Sequence, residues 1–196
     1  MIQVRVHGRG GQGVVTTAEL LSVAAFAEGR YAQAFPTFGS ERTGAPVVGF
    51  CRIDDRLIRT HEPVVRPDAV IIQDATLLHQ VDVFDGLGPD GYLLVNTSRS
   101  FDELGLHAFV ARLGPARAIT VPATELAMTH LRRPLPGAVL LGAFAALTDQ
   151  VHLASVVAAI QERFPDQVAA GNIAAADAAY QLVRAQIKEP ARAQTD

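Results

Sequence analysis

The sequence predicts an α/β fold: a mainly parallel sheet flanked by helices on both faces, with an inserted β-hairpin and a helical C-terminal third. Largely apolar runs of strand length at 69–72, 92–95 and 118–121 alternate with helical stretches, as strands covered on both faces do. Alanine-rich segments fill the last third of the chain and favour helix. The length of 196 residues suits one α/β domain, expected over 1–187, with a polar tail at 188–196.

The N-terminal part begins with a strand at 2–6, where apolar and polar residues alternate. A glycine-rich turn follows, and apolar residues at helical spacing predict a helix over 14–28. Gly29 is suited to end that helix. A second short strand is expected at 31–35.

An inserted hairpin is expected next, where the alternation of strands and helices is interrupted. Residues 47–53 are strand-like, Asp54 and Asp55 suit a turn, and residues 56–59 would return antiparallel. After the hairpin, the alternation resumes. The helices predicted there lie around 76–81, from 124 onward, and at 137–148, 152–164 and about 172–187.

The composition excludes several classes of function. A net charge of −3 offers no general attraction to nucleic acid or to an anionic membrane, and no apolar run reaches the ~20 residues of a membrane span. The six histidines are scattered, so no metal site is expected. The one cysteine, Cys51, cannot by itself hold an iron–sulfur cluster, and we expect a small buried side chain there. Low cysteine content and no signal-peptide pattern predict a cytoplasmic protein.

Residues 8–13 form the pattern G-x-G-x-x-G between a predicted strand and a predicted helix. Glycines let backbone N–H groups approach a phosphate, and the start of a helix adds unpaired N–H groups and a positive dipole. The alternative is that the glycines only form a tight turn against a neighbouring surface. His7 adjoins the turn and is expected to be packed and hydrogen-bonded. The candidate anion-binding residues are Arg9, Gly10, Gly11, Gln12 and Gly13.

A self-contained NAD(P)-binding oxidoreductase is one hypothesis for this motif. It requires an acidic residue about 20 residues further on, at the end of the second strand, to bind the ribose hydroxyls. Here the strand ends in Ala34, Phe35 and Pro36, and no acidic residue is present. The dinucleotide fingerprint is therefore half present.

A polar, glycine-bracketed stretch at 37–46 is the second candidate segment. Ser40, Arg42 and Thr43 would present hydrogen-bonding groups to a ligand or a partner. The alternative is a solvated loop. Because no complete catalytic set is found in the chain, we expect its chemistry to be completed by other chains.

Three stretches together resemble the gamma subunit of 2-oxoacid:acceptor oxidoreductases, the family that includes pyruvate:ferredoxin oxidoreductase. They are HGRGGQG at 7–13, AFPTFGSERTGAPV at 34–47 and LLGAF at 140–144. The similarity runs over most of the chain. One departure is Gly137-Ala138, where family members often have Asn-Thr, so that any polar contact made there is lost.

The resemblance implies a subunit of a complex that decarboxylates a 2-oxoacid, such as pyruvate or phenylglyoxylate, with coenzyme A to acyl-CoA, CO2 and two electrons. Alpha, beta and delta-type partners would hold thiamine diphosphate, Mg and [4Fe-4S] clusters, so that this chain binds no redox cofactor alone. The electron acceptor would be ferredoxin or an NAD-reducing flavin subunit. The chain would cap the active site, with residues 9–13 at the CoA phosphates and Ser40, Arg42 and Thr43 facing the partner interface or the substrate tunnel.

Overall fold

A six-stranded sheet forms the centre of the structure, a computed structural model that describes residues 1–37 and 43–193. The strands are β1 (Ile2–Arg9), β2 (Tyr31–Pro36), β3 (Pro46–Asp54), β4 (Ala69–Ile72), β5 (Tyr92–Asn96) and β6 (Ala118–Val121). Their order across the sheet is β2-β3-β1-β4-β5-β6. β1, β4, β5 and β6 pair in parallel, and β3 runs antiparallel between β1 and β2.

Six α-helices and one 3-10 helix connect and cover these strands in the described residues. The α-helices are α1 (Val14–Ala27), α2 (His107–Val110), α3 (Ala123–Leu131), α4 (Gly137–Thr148), α5 (Leu153–Arg163) and α6 (Asp166–Ala193). The 3-10 helix, Ala75–His79, follows β4.

Both faces of the sheet are covered, and β4 shows this directly. Ala69 and Ile71 pack in the cluster that includes α1 and the C-terminal helices. Val70 and Ile72 point the other way, into a smaller cluster with Leu77 of the 3-10 helix. The predicted α/β fold class is therefore confirmed, although the second face is covered by a 3-10 helix, turns and the one-turn helix α2.

Helix α4 is buried from Ala138 to Thr148, because nearly all of its residues are apolar, on every side of the helix. Its contact with α6 is close enough to exclude a side chain at one position. A Cβ at Gly142 would lie 2.0 Å from the carbonyl oxygen of Ala176. Gly142 is thus required by the approach of two helix backbones.

The predicted hairpin is wrong in its second strand. Residues 56–59 form no strand in the structure. The reason is that β3 already pairs with β1 on one side and with β2 on the other, which leaves no free edge for a returning strand. The hairpin-like pair is instead β2 with β3, which are antiparallel and follow one another along the chain.

The helical C-terminal third is confirmed, with α4 at its predicted bounds. α6 begins at Asp166 and continues to Ala193, past its predicted end at 187. None of the described helices combines the length and the apolar character needed to cross a bilayer.

Candidate functional site

The glycine loop, residues 8–13, lies at the carboxyl end of β1, next to the carboxyl end of β4. The two strands pair in parallel, with His7 opposite Ile72. The helix after β1 packs in the larger cluster, whereas the 3-10 helix after β4 packs in the smaller one. Neighbouring parallel strands whose connections leave toward opposite faces create a crevice at their carboxyl ends, where ligands of α/β proteins commonly bind.

Positive φ angles and close packing explain the glycines of this loop. Gly11 and Gly13 have φ angles of 92° and 75°, which side chains rarely adopt. At Gly8, a Cβ would lie 2.5 Å from Cγ2 of Val14. The loop therefore passes tightly under the start of α1.

The glycine loop contacts the second polar stretch predicted from the sequence. The N–H of Gly10 donates to the carbonyl of Ala45 at 2.9 Å, and the N–H of Gly44 donates to the carbonyl of Gly10 at 3.0 Å. Thr43 forms a parallel bridge with Gly10. Two of the three candidate interface residues, Ser40 and Arg42, lie outside the described residues.

Asp74, the second residue after β4, binds the side chains of the glycine loop. Its Oδ2 accepts from Nε of Arg9 at 3.1 Å and from Nε2 of Gln12 at 2.8 Å. Its Oδ1 accepts from the N–H of Thr76 at 3.0 Å and from the Thr76 hydroxyl. Burial acts to raise the pKa of this carboxyl, but hydrogen bonds from Thr76 and Gln12 and the Arg9 charge outweigh it and hold the pKa below its usual value.

Unpaired backbone N–H groups mark the start of α1. Thr17 is the first residue of the helix whose N–H finds an acceptor, the carbonyl of Gly13 at 2.9 Å. In residues 1–37 and 43–193, the N–H groups of Val14, Val15 and Thr16 have no hydrogen-bond acceptor. These donors lie at the positive end of the helix dipole, which is an arrangement that binds anions.

A cleft of about 530 Å³ adjoins the start of α1, where Gly13 and Thr16 line it. It lies between the N-terminal ends of α1 and α4, the C-terminal end of α3 and the start of α6. Its wall is mostly apolar, with Leu20, Leu131, Leu135 and Phe164 among the residues that form it. The polar side chains on it include Thr16, His130, Arg133, Gln167 and Asn172.

A buried hydrogen-bond chain connects the floor of this region to the sheet. Gln73 is 1% exposed, and its Nε2 donates to the Thr17 hydroxyl at 2.6 Å. The Thr17 hydroxyl in turn donates to the carbonyl of Gly13 at 3.0 Å. A Cβ at Gly137 would lie 2.3 Å from that hydroxyl oxygen. The glycine at the first position of α4, noted as a departure from the family, therefore makes room for Thr17.

Sequence reasoning missed Gln73, Asp74 and Thr17. The available signal was the polar pair that ends the apolar run 69–72, because carboxyl ends of parallel strands meet at one edge of a sheet. His7 is buried as expected, but in the described part of the chain its Nε2 has no partner. Burial, together with the Arg5 charge, lowers the pKa of His7 to about 4, so the ring is neutral near pH 7.

Cys51 is fully buried in β3, as expected, and burial raises the pKa of its thiol to about 12. Among the described residues, no group of three or more His, Cys, Asp or Glu side chains is arranged to hold a metal ion. The NAD(P) hypothesis meets an obstacle in the sheet order, because β3 lies between β1 and β2. The end of β2, where a ribose-binding acid would be expected, is therefore not beside the glycine loop.

Residues 3–182 match the pyruvate ferredoxin/flavodoxin oxidoreductase family, and the chain belongs to that family. Its relatives are gamma-type subunits. The pyruvate synthase subunit PorC of Methanosarcina barkeri is 47% identical over 94% of this chain and 98% of the relative. The pyruvate/ketoisovalerate oxidoreductases common subunit gamma of Thermococcus kodakarensis is 45% identical over 92% of this chain and 96% of the relative.

The crystal structure of the pyruvate oxidoreductase subunit PORC from Thermotoga maritima has the same fold. It superposes with a TM-score of 0.77 at 36% identity, covering 92% of this chain and 95% of that one. The protein is accordingly the gamma subunit of a pyruvate or ketoacid:ferredoxin oxidoreductase, a non-autonomous part of a multi-subunit enzyme.

Proposed function

We propose that the gamma subunit contributes the acyl-acceptor site of its complex, by contacting CoA with the glycine loop and the adjoining cleft while it caps the active site. The complex would decarboxylate a 2-oxoacid oxidatively and transfer the acyl group to CoA. Arg9, Gly10, Gly11, Gln12 and Gly13 would form the phosphate-facing segment. Thr43, with Ser40 and Arg42, would continue it toward the partner interface or the substrate tunnel.

The observation that supports CoA most is the combination of unpaired N–H donors and an apolar cleft. CoA carries a pyrophosphate joined to a long and partly apolar arm. Phosphate oxygens suit the backbone donors of Val14, Val15 and Thr16 at the start of α1. A largely apolar cleft of about 530 Å³ with a few polar side chains is of the size and character that bind small organic molecules.

The redox chemistry would lie in the partners. The lone Cys51 is buried, so this chain has no thiolate set for a cluster. In this proposal, thiamine diphosphate with Mg and the [4Fe-4S] clusters belong to alpha, beta and delta-type subunits. Electrons would leave to ferredoxin or to an NAD-reducing flavin subunit.

Selection of the 2-oxoacid would also lie in the partners. The Thermococcus kodakarensis relative is named as common to pyruvate and ketoisovalerate oxidoreductases, so one gamma subunit there serves two substrates of different size. A subunit that binds the shared co-substrate CoA fits that use. Because the cleft would bind CoA and not the 2-oxoacid, the complex of this chain could use either pyruvate or phenylglyoxylate as its 2-oxoacid substrate.

A matched pair of glycine substitutions tests the proposal. Gly13 and Gly29 lie at opposite ends of α1, have φ angles of 75° and 79°, and have no neighbour within 4 Å of an added Cβ. Gly13→Ala and Gly29→Ala therefore impose the same backbone strain. In the assembled complex, we expect Gly13→Ala to raise the KM for CoA several-fold and leave the KM for the 2-oxoacid unchanged, because only Gly13 borders the unpaired donors.

Gly29→Ala is the control and should leave both KM values at the level of the unmodified complex. Equal CoA KM values for the two variants would show that the glycine loop does not contact CoA. A rise in the KM for the 2-oxoacid in Gly13→Ala would instead assign the loop to the other substrate.

A further inference from the structure

Asp74 connects the two ends of the glycine loop. Its Oδ2 receives one hydrogen bond from Arg9, at the start of the loop, and one from Gln12, near its end. Gln12 closes the ring, because its Oε1 accepts from the backbone N–H of Arg9 at 2.8 Å. The other carboxylate oxygen is bound by Thr76, so Asp74 is itself held in place.

The charge of Arg9 is directed into this network. Its Nε binds Asp74, and its Nη1 donates to the carbonyl of Gly44 at 3.0 Å. Its Nη2 donates to the Thr76 hydroxyl at 2.6 Å and to Oε1 of Gln80 at 2.9 Å. Every nitrogen of the guanidinium is therefore engaged within the subunit. The positive charge at the loop is balanced by Asp74 before any ligand arrives.

Such a network restricts the conformational freedom of a loop that is rich in glycine. Four of the six residues at 8–13 are glycine, and glycine loses more conformational freedom on ordering than any other residue. Binding would have to supply that ordering free energy if the loop were mobile. The side chains of Arg9 and Asp74 are 21% and 16% exposed, so their ion pair is less screened than a surface pair.

We propose that Asp74 is a positioning residue for the acyl acceptor: through Arg9 and Gln12 it holds the glycine loop in one conformation, so that the backbone N–H groups at the start of α1 bind the anionic part of the ligand. The Arg9 guanidinium then acts as a structural cation, so that residues 9–13 would face the phosphates with their backbone and not with the Arg9 charge. This inference rests on the proposed function, since it assigns the geometry by which the same loop binds CoA.

The test is steady-state kinetics of the assembled complex containing Asp74→Asn. Asparagine keeps the size of the side chain but replaces one acceptor oxygen by an NH2 donor, so that the pair of donors from Arg9 and Gln12 loses its charged acceptor. We expect the KM for CoA to rise about tenfold, which is the size of one lost hydrogen bond to a charged group. The kcat at saturating CoA and the KM for the 2-oxoacid should stay within about twofold, an allowance for ordinary surface substitutions. A purely structural role would lower the yield of complex or kcat without this selectivity.

Gln12, which donates a hydrogen bond to Asp74, supplies a second readout. Gln12→Ala should also raise the KM for CoA, and the double variant with Asp74→Asn should show less than the product of the two single effects, because both act through one contact. Independent effects that multiply in full would overturn the proposal. If Asp74→Asn fails to assemble, Thr76→Val decides, because it removes the hydroxyl that binds Asp74 and Arg9 and lies outside the phosphate-facing segment. An unchanged KM for CoA then overturns the proposal, and a raised one supports it.

Asp55→Asn is the matched control. It removes a carboxylate that accepts from Nε of Arg30 at 3.1 Å, the same bond length as in the Arg9–Asp74 pair, but after β3 and away from the loop. Its KM for CoA should equal that of the unmodified complex. If Gly13→Ala raises the KM for CoA and Asp74→Asn does not, the positioning role is wrong and the proposed function stands. If neither variant changes it, both are wrong.

Discussion

Helix α4 packs directly on the backbone of α6, whereas the glycine loop is attached to β4 by polar side chains. In the first region, apolar residues and Gly142 bring two helices together, and no hydrogen bond between them is needed. In the second, one carboxylate, Asp74, accepts from residues 62 and 65 positions away in the sequence. Shape therefore determines the first contact, and hydrogen-bond partners determine the second.

The two kinds of contact are destabilised by different changes. A packed apolar contact tolerates no added volume and is indifferent to pH. The hydrogen bonds between Asp74 and the glycine loop depend instead on the charge of the carboxylate and on the backbone dihedral angles of the loop. Substitutions that add volume should therefore affect the helices most, and changes of pH or φ should affect the region around the loop.

The largest effect is expected from Gly142→Ala. The added methyl would lie 2.0 Å from the carbonyl oxygen of Ala176, so one of the two helices must shift. Because α4 is buried on all sides, we expect the free energy of unfolding to fall by about 3 kcal/mol or more. Urea unfolding of the purified subunit measures this.

Gly88→Ala is the control, since an added Cβ there meets nothing within 4 Å. Its stability should match that of the unmodified subunit. A Gly142→Ala subunit of unchanged stability would mean that shape does not determine the contact between α4 and α6.

His7 should give the next largest effect. Its pKa in the folded subunit is about 4, below the 6.5 of an unfolded chain, so the unfolded state binds the proton more strongly. The contribution of the neutral His7 ring to the free energy of unfolding is fully present above pH 6.5. It is lost as the pH falls from 6.5 toward 4. Between pH 7 and pH 5 the loss should be about 2 kcal/mol from this group.

His7→Gln removes that dependence, because glutamine does not titrate. Unfolding in urea at pH 7 and pH 5 should show a smaller difference for His7→Gln than for the unmodified subunit. His107→Gln, whose side chain is 80% exposed, should retain the original difference. The same pH dependence in all three proteins would show that His7 does not titrate as its burial implies.

The contrast between the two regions also explains what the sequence predicts well. The bounds of α4 and the start of α1 follow from apolar residues that are neighbours along the chain, so they could be predicted locally. The glycine loop could be predicted as a motif, but its contact with Thr43 could not, because the two stretches meet only once β1 and β3 have paired. The place of Asp74 after an apolar strand could mark it as a candidate, but its partnership with Gln12 could not be predicted, because it exists only once β1 and β4 are adjacent in the sheet.

The wrong hairpin has the same origin. Residues 56–59 look like a returning strand until both edges of β3 are known to be occupied. Which strands pair depends on the whole sheet, so a local pattern of apolar and polar residues does not predict it. Non-local contacts therefore account for the missed site residues and for the misplaced strand alike.

The smallest effect on stability is expected at an exposed ion pair, which serves as a comparison for the Asp74 network. Arg184 and Asp149 form an ion pair at 3.4 Å, with side chains 37% and 75% exposed. Solvent screens this pair, so Asp149→Asn should change the free energy of unfolding by less than about 0.5 kcal/mol. In urea unfolding at low salt, Asp74→Asn should lower the free energy of unfolding by more than Asp149→Asn does. The Asp74 carboxylate accepts four hydrogen bonds, and its side chain is 16% exposed. Equal costs would mean that the Asp74 hydrogen bonds stabilise the fold no more than a solvent-exposed ion pair does, and that they do not hold the loop.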